Sequence, residues 1–421
     1  MIKEKIRHII KHPLFTGSLI MIIGSNAVNL LNYMYHFIVG RMLGPIGYGE
    51  LASLISLMGL IGVIPASFSL VIIKYTSSAK NEKEVGALLK WLRNMSLIFA
   101  VTVFVLLVLI SYNLSQFLQI NNQVLVIMVG LLFLCSVPLT INRSVLQGLL
   151  KFKETVISSL VENLLKLILS IILIYIGFSV FGALMGFILA NVIGWALTAY
   201  FIGTYDFSQN FKYIKGFLIY SIPVIIQSFA ITSLYSIDLI LVKHFFTSYE
   251  AGLYASLSTL GRIIFFGAGP IAAVMFPMVA KRFSDGQGYR NIMIYSVVLT
   301  LGLCCGVLFV YWLFPEFAIG LLYGQSYVSA SNLLIYMGIF MTLFTLSSLL
   351  ISYYLSVGKT KIVILPLIAA VAQFVGIWLY HHTLFNVIII SNIVSSLLLL
   401  SLLIYFAYER SKINISHSPS L

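Results

Sequence analysis

Long apolar runs constrain the fold of this chain more than any other feature. Crossing the hydrocarbon core takes about 20 apolar residues as a helix, whereas a barrel strand takes about 10. A helix also satisfies its own backbone hydrogen bonds in lipid. The sequence therefore predicts an all-α polytopic membrane protein with about twelve transmembrane helices. We place them at residues 15–39, 51–73, 90–112, 124–147, 156–177, 180–203, 214–240, 251–275, 291–314, 329–355, 362–380 and 384–407.

The composition agrees with a membrane environment. The 421 residues are 60% hydrophobic and only 9% charged, whereas soluble domains carry about 25% charged residues. A net charge of +13 would suggest a nucleic-acid partner in a soluble protein. Here we expect no nucleic-acid partner, because the basic residues lie in short segments between the apolar runs. The three cysteines have no metal or disulfide spacing, so we expect no metal site and no cofactor.

The basic residues also predict the orientation. Of the 25 Lys and Arg residues, 20 fall on one side of the predicted spans, Arg41 and Lys243 fall on the other, and Arg143, Lys166 and Arg262 lie inside spans. The basic side of a membrane protein faces the cytoplasm. Both termini are therefore predicted to be cytoplasmic, in the cytoplasmic membrane of a bacterium or archaeon. No outer loop is long enough for an acceptor-binding domain and no nucleotide-binding loop is present, so we do not expect an enzyme.

A weak internal repeat indicates two halves. Residues 49–57 match residues 252–260 at five of nine positions, at a constant offset of 203. Parallel repeats of this kind form two bundles that rock about a central site. We predict an N-terminal lobe of six spans (1–204), a cytoplasmic basic linker (205–216) and a C-terminal lobe of six spans (217–421) around a central cleft.

Charged residues within spans are costly, and they commonly face a cavity or a partner. Arg262, near the middle of span eight, suits a diphosphate because its planar guanidinium binds phosphate bidentately; the alternative is a structural pairing. Arg143, near the inner end of span four, either reaches toward the cytoplasm or contacts the same phosphate. We expect no catalytic residue.

Four further ionisable residues are candidates for coupling or for ion pairs. Glu162 and Lys166 lie one turn apart in span five, in the order that favours an intrahelical pair; the alternative is a protonatable switch in the cleft. Asp238, near the outer end of span seven, has Lys243 close enough to be its partner.

Span one carries a polar stripe that predicts a second part of the binding site. Asn26, Asn29, Tyr33 and His36 fall within an arc of about 80° on a helix that otherwise suits lipid. Such residues either join helices or line a wet cleft, where they would supply hydrogen bonds to sugars. Together with the excess of cations over carboxylates inside the spans, this stripe predicts transport of a large anionic headgroup whose lipid tail stays in the bilayer.

Four segments carry a family resemblance: Gly40 to Gly49 (GRMLGPIGYG), Gln147 to Phe152 (QGLLKF), Asp238 to Phe246 followed by Glu250 to Tyr254 (DLILVKHFF, EAGLY), and Val357 to Lys361 (VGKTK). In order and spacing they resemble the polysaccharide transporter (Wzx-type flippase) family of the multidrug/oligosaccharidyl-lipid/polysaccharide exporter superfamily. The resemblance implies a twelve-helix, two-lobe flippase. It would move undecaprenyl-diphosphate-linked oligosaccharide repeat units to the outer leaflet, alongside the glycan polymerase and glycosyltransferases of a surface-polysaccharide pathway such as O-antigen or capsule synthesis.

Three other functions remain open from the sequence. An ion-coupled multidrug or small-cation exporter of the same superfamily would need acidic residues in its cleft, whereas the predicted cleft is basic. A lipid II flippase fits less well, because those relatives often carry fourteen spans. A membrane glycosyltransferase or glycan polymerase would need a catalytic carboxylate outside the membrane, and Glu316 is the one carboxylate placed for that role.

Overall fold

Helices make up all of the regular structure in the described residues. The computed structural model describes residues 13–79, 81–205, 211 and 214–416; residues 206–210, 212 and 213 of the predicted linker lie outside this part. The α-helices are α1 (Pro13–Ser77), α2 (Glu82–Phe117), α3 (Gln123–Gly148), α4 (Phe152–Leu173), α5 (Ser179–Ile202), α6 (Ile214–Leu234), α7 (Ile237–Phe245), α8 (Ser248–Ser284), α9 (Arg290–Leu313), α10 (Pro315–Tyr323), α11 (Ser331–Ser356), α12 (Ile364–Leu379) and α13 (Leu384–Ser416).

The predicted fold class is confirmed. Among the described residues, nine helical stretches are long and apolar enough to cross a membrane, and the bent pair formed by the end of α6 and α7 raises this number to ten. Two of the nine, α1 and the continuous stretch Phe152–Ile202, contain a break in their backbone geometry. The count of twelve spans and the side on which the termini lie stay predictions.

The break in α1 lies at Gly44. Its φ of 67° and ψ of 176° are non-helical and fall in a region that is nearly exclusive to glycine. Pro45 follows it, and proline suits the first position of a helix because that position needs no N–H donor. The gap of residues 40–50 between the first two predicted spans is therefore not a loop. The chain is helical on both sides of Gly44, and the direction changes at that single residue.

The second break lies between α4 and α5. A π-helical turn, Ile174–Phe178, continues α4, and the chain then reverses through positive φ angles at Gly177 (104°) and Ser179 (48°). This turn lies at the short gap between the spans predicted at residues 156–177 and 180–203. The segment predicted as an outer loop after span nine instead contains the short helix α10, with Glu316 in its first turn.

Span seven is broken in two. Helix α6 ends at Leu234 and α7 begins at Ile237, with a bend of 46° between them. The helix runs through Pro223 and breaks later, at Tyr235 and Ser236. Lys243, expected in an outer loop, lies inside α7 and is fully buried, because the helix extends five residues beyond the predicted end of the span.

The chain forms two compact units, Met1–Ser228 (unit 1) and Phe229–Leu421 (unit 2). The boundary between these units lies inside α6. Most of α6 belongs to unit 1 because Phe217 is buried there against an aromatic cluster that includes Phe68, Tyr75 and Trp91. The predicted lobe boundaries stay a prediction.

Each unit has its own helical core. In unit 1, α4 packs on α5, α3 packs on α2 and α5, and α1 packs on α3 and α4. In unit 2, α8 packs on α9 and α11, α11 packs on α13, and α7 packs on α12. These packings bring the intramembrane charged residues of α3 and α4 together in unit 1 and those of α7 and α8 together in unit 2.

Candidate functional site

A buried charge network occupies unit 1. It consists of side chains from four helices, and we call it the unit 1 network: Asn32, Arg143, Ser158, Glu162, Lys166 and Asn191. Glu162 and Lys166 are 7% and 4% exposed. They lie one turn apart on α4, so they share the helix face that packs against α1, α3 and α5.

Arg143 on α3 binds two groups of α4. Its Nη1 lies 2.7 Å from Glu162 Oε2, and its Nε donates to Ser158 Oγ at 3.1 Å. The remaining carboxylate oxygen of Glu162 accepts a longer hydrogen bond, at 3.4 Å, from Asn191 on α5. Arg143 Nη2 is buried and has no hydrogen-bond partner. Arg143 is therefore fixed by a protein carboxylate and keeps one unused donor.

Lys166 has a different environment from Glu162. Its ammonium donates to Asn32 Oδ1 on α1 and lies 4.7 Å from the ring centre of Tyr35 and 4.8 Å from that of Phe187. Aromatic faces stabilise a desolvated cation electrostatically. These neutral groups solvate the ammonium without cancelling its charge.

Glu162 and Lys166 do not contact each other directly, although Glu162 still acts on Lys166 electrostatically. Their sequence spacing permits an ion pair, but Arg143 reaches Glu162 from the neighbouring helix and binds it through Nη1. The unit 1 network therefore contains two cations and one carboxylate. Such a cluster retains one net positive charge at membrane depth and attracts anions.

The polar stripe of span one divides into two parts. Asn26 and Asn29 are exposed, whereas Tyr33 and His36 are half-buried. Tyr33 stacks on Phe37, with 6.0 Å between ring centres. His36 Nδ1 lies 3.1 Å from the hydroxyl of Tyr48, which is on the other side of the Gly44 break. His36 therefore braces the corner of α1, and the two asparagines are the accessible part of the stripe.

A second buried network surrounds the helix break in unit 2. Asp238, at the start of α7, is fully buried. Its Oδ2 accepts a hydrogen bond of 2.7 Å from the Tyr254 hydroxyl on α8, and its Oδ1 accepts one of 2.8 Å from the backbone N–H of Leu239. A carboxylate in the first turn also interacts favourably with the N-terminal end of the helix dipole. We call Tyr235, Asp238, Tyr254 and Arg262 the unit 2 network.

Arg262 on α8 binds the broken end of α6. Its Nη2 donates to the Tyr235 carbonyl at 2.6 Å, and its guanidinium lies 5.3 Å from the centre of the Tyr235 ring. The last carbonyls of a helix have no partner within that helix, so Arg262 caps α6. Its Nε is buried and without a hydrogen-bond partner. Arg262 therefore makes a structural contact with the Tyr235 carbonyl and keeps a donor, Nε, that no protein group uses.

The direct hydrogen-bond partners of Asp238 and Lys243 are likewise other residues. Both carboxylate oxygens of Asp238 are used by Tyr254 and the backbone of Leu239, while the Lys243 ammonium donates to Ser248 Oγ at 2.8 Å. The cause is the helical conformation of residues 237–245, since residues five apart on an α-helix point in directions about 140° apart.

Several partners in the two networks were not predicted from the sequence. Asn32 lies about 40° beyond His36 around α1, outside the predicted 80° arc. A wider arc would have included it. Tyr254 belongs to a segment that carries the family resemblance, but no spacing rule links it to Asp238. Tyr235 contributes a backbone carbonyl, which no side-chain pattern reveals. Among the described residues, no group of three or more His, Cys, Asp or Glu could hold a metal ion.

The sequence matches a known protein family over most of its length. Residues 38–332 match the family described as "Polysaccharide biosynthesis protein". A relative from Methanocaldococcus jannaschii, described as "Uncharacterized membrane protein MJ1375", is 28% identical over 305 residues, which are 68% of this chain and 71% of the relative. The family resemblance inferred from the four short segments is confirmed by the family match.

Two kinds of solved structure share the fold. A multidrug resistance MATE family transporter of the MOP superfamily, in an inward-facing conformation, aligns with a TM-score of 0.74 at 16% identity, over 91% of this chain and 96% of the transporter. The lipid II flippase MurJ, in an inward closed conformation, aligns with a TM-score of 0.74 at 14% identity, over 92% of this chain and 87% of MurJ. At these identities the likeness establishes the fold.

Proposed function

Because the chain belongs to the polysaccharide biosynthesis protein family that residues 38–332 match, we propose that it is a flippase for a lipid-linked oligosaccharide. Its substrate would be a glycan repeat unit on undecaprenyl diphosphate, moved by alternating access from the cytoplasmic to the outer leaflet. The solved relatives with this fold are named as a transporter and a flippase, which agrees with the expectation that no covalent bond of the substrate changes.

The excess of buried positive charge carries this proposal. Three cations, Arg143, Lys166 and Arg262, lie in the two networks with only two carboxylates, Glu162 and Asp238. A protein built to carry cations would place free carboxylates at membrane depth. Here both carboxylates are already bound by protein groups. An anionic headgroup is the ligand that this charge balance favours.

The substrate has three parts, and each would meet a different environment. The diphosphate would bind through the unused donor nitrogen of Arg143 in unit 1 or through that of Arg262 in unit 2, each of which is buried and has no partner. The sugars would hydrogen-bond to Asn26 and Asn29, the exposed residues of the polar stripe. The prenyl chain would remain in the bilayer, because its transfer to water is unfavourable.

In the unit 1 network, the negative charge of Glu162 would drive substrate release. Glu162 and a diphosphate would compete for the same guanidinium of Arg143, so the carboxylate would displace the substrate at the end of a cycle. Lys166 would remain on Asn32 throughout and would compensate Glu162 while Arg143 is occupied. Asp238 and Lys243 would act in unit 2 by holding α7 in place and not as a proton relay, since both have partners on α8.

A transport assay with three substrates tests the proposal. The purified chain is reconstituted in liposomes with an undecaprenyl-diphosphate oligosaccharide, with lipid II, or with a cationic dye, and translocation is followed by the reaction of each with a membrane-impermeant reagent. We expect only the oligosaccharide to cross at a rate above that of protein-free liposomes. Transport of lipid II alone or of the dye alone would favour the corresponding alternative and overturn the proposal.

A cellular assay gives an independent readout. In a strain that lacks the protein, we expect the lipid-linked oligosaccharide to accumulate on the cytoplasmic leaflet, because the glycosyltransferases continue to supply it while the polymerase outside receives none. Normal surface glycan in that strain, with no redundant flippase, would contradict the proposal.

A further inference from the structure

A groove on unit 1 lies outside both networks and is not used by the proposed transport cycle. It has a volume of about 410 Å³ and lies between α2, α3 and α5, which is within the range of sites that hold small ligands. Most of its wall is apolar, including Leu97, Ile141 and Ala199, and Trp195 lines it with an exposed side chain. A wall of this kind accommodates a hydrocarbon chain.

One end of the groove is cationic. Arg93 on α2 lines the groove and is exposed. Lys151, at the start of α4, donates from Nζ to the Phe201 carbonyl at 2.9 Å, next to Ile202 of the groove wall. The carboxylates of α2, Glu82 and Glu84, lie in its first turn, about 14 Å or more from Arg93 along the helix.

The groove lies at the basic ends of its helices. Asn142, in its wall, is six residues from the end of α3, and Trp195 is seven residues from the end of α5, which places both about 10 Å from those ends. Lys74, in the last turn of α1, and Lys151, just before α4, lie beside the ends of α3 and α5, and the basic side of a membrane protein faces the cytoplasm.

We propose that this groove holds an anionic glycerophospholipid of the cytoplasmic leaflet. Its phosphate lies against Arg93, and one acyl chain lies along Leu97, Ile141 and Ala199. Basic pockets between transmembrane helices on the cytoplasmic side are suited to anionic headgroups, and each cation contributes a favourable interaction with them. The indole of Trp195 suits the boundary between headgroup and chain. The bound lipid is a resident molecule and not the transported substrate.

Native mass spectrometry of the full-length protein in detergent tests this assignment. We expect one phosphatidylglycerol to remain bound under conditions that remove phosphatidylcholine. Arg93→Gln should weaken binding of phosphatidylglycerol by about fivefold, the effect of one membrane-proximal cation. Lys83→Gln is the matched control, because Lys83 is exposed on the same helix but does not line the groove, and we expect it to bind lipid as the wild type does.

Two further measurements separate the outcomes. Ala199→Trp fills the apolar wall and should weaken phosphatidylglycerol binding while Arg93 is intact; the lipid-free melting temperature of this variant shows that it is folded. Undecaprenyl phosphate is added as a competitor to identify the class of lipid. Equal retention of the two phospholipids, no effect of Arg93→Gln, or preferential displacement by undecaprenyl phosphate would each overturn the assignment.

Discussion

Arg143 Nη1 lies 2.7 Å from Glu162 Oε2, and this ion pair joins α3 to α4 inside unit 1. Removing one partner of a buried pair leaves an uncompensated charge and costs roughly 3–5 kcal/mol when both groups are fully buried. The Arg143 side chain is 21% exposed, so we expect Glu162→Gln to fall at or below the lower end of that range. The melting temperature in detergent should decrease clearly, as followed by tryptophan fluorescence.

Two controls test whether this loss comes from the ion pair. Glu154→Gln removes a carboxylate from the first turn of the same helix and should change the melting temperature much less. The double variant Arg143→Met/Glu162→Met removes both charges and should recover part of the stability lost in Glu162→Gln, because apolar replacement of a buried pair is often neutral. A double variant less stable than Glu162→Gln would show that the pair itself is not the cause.

Lys166 and Asn32 form a second contact that a double-mutant cycle can measure. The ammonium donates to Asn32 Oδ1, and polar contacts between membrane helices are worth about 0.6 kcal/mol on average and up to about 1.7 kcal/mol. We expect Lys166→Met and Asn32→Leu to show a coupling energy within this range. Independent effects of the two substitutions would mean that the aromatic rings of Tyr35 and Phe187 alone stabilise the ammonium.

The helices could be predicted from the sequence because a span must be both long and apolar, whatever it packs against. The sharp changes of direction between helices were harder to predict. Residues 40–50 contain four glycines and a proline in addition to polar side chains, which indicates a loop by composition. The structure needs only Gly44 to redirect the chain, since glycine reaches a backbone conformation that other residues avoid.

The polar residues of the candidate site could be selected from the sequence, but their partners could not. Glu162 and Lys166 satisfy the spacing rule for a pair within one helix, yet each is bound by a residue more than ten positions away. Arg262 binds a backbone carbonyl that becomes available only because α6 ends at Leu234. Such choices depend on which helices are neighbours, and local periodicity carries no information about that.

Gly44 gives a prediction that depends on backbone conformation alone. A Cβ added at Gly44 would contact nothing within 4 Å, so the cost of Gly44→Ala comes from its φ of 67° and ψ of 176° and should be about 1–3 kcal/mol. Gly59→Ala is the matched control, because a Cβ there also meets nothing and alanine is favoured over glycine inside a helix. Equal melting temperatures for the two variants would contradict the assigned corner.

Tyr254 is predicted to stabilise the start of α7 through its hydroxyl. Tyr254→Phe removes the hydrogen bond of 2.7 Å to the fully buried Asp238, and a hydrogen bond to a charged group contributes about 1.5–3 kcal/mol. Tyr249→Phe on the same helix is the control, because its hydroxyl makes only contacts of 3.4 and 3.5 Å. We expect a lower melting temperature for Tyr254→Phe alone, and restoration to the wild-type value in Tyr254→Phe/Asp238→Asn would support the assigned contact.

Arg262 is predicted to act in transport as well as in structure, and three substitutions separate these roles. Arg262→Ala loses both the bond to the Tyr235 carbonyl and the charge, and should abolish flipping while the protein stays in the membrane. Arg262→Gln retains a donor for that carbonyl without the charge, and should lower flipping at least about tenfold, as expected for one charge-assisted hydrogen bond. Arg262→Lys retains the charge without the planar fork and should be intermediate. Arg282→Gln on the exposed end of α8 is the control. If Arg262→Gln flips the substrate at the wild-type rate, the charge of Arg262 is not needed for transport. Arg262 would then act only as the donor that caps α6.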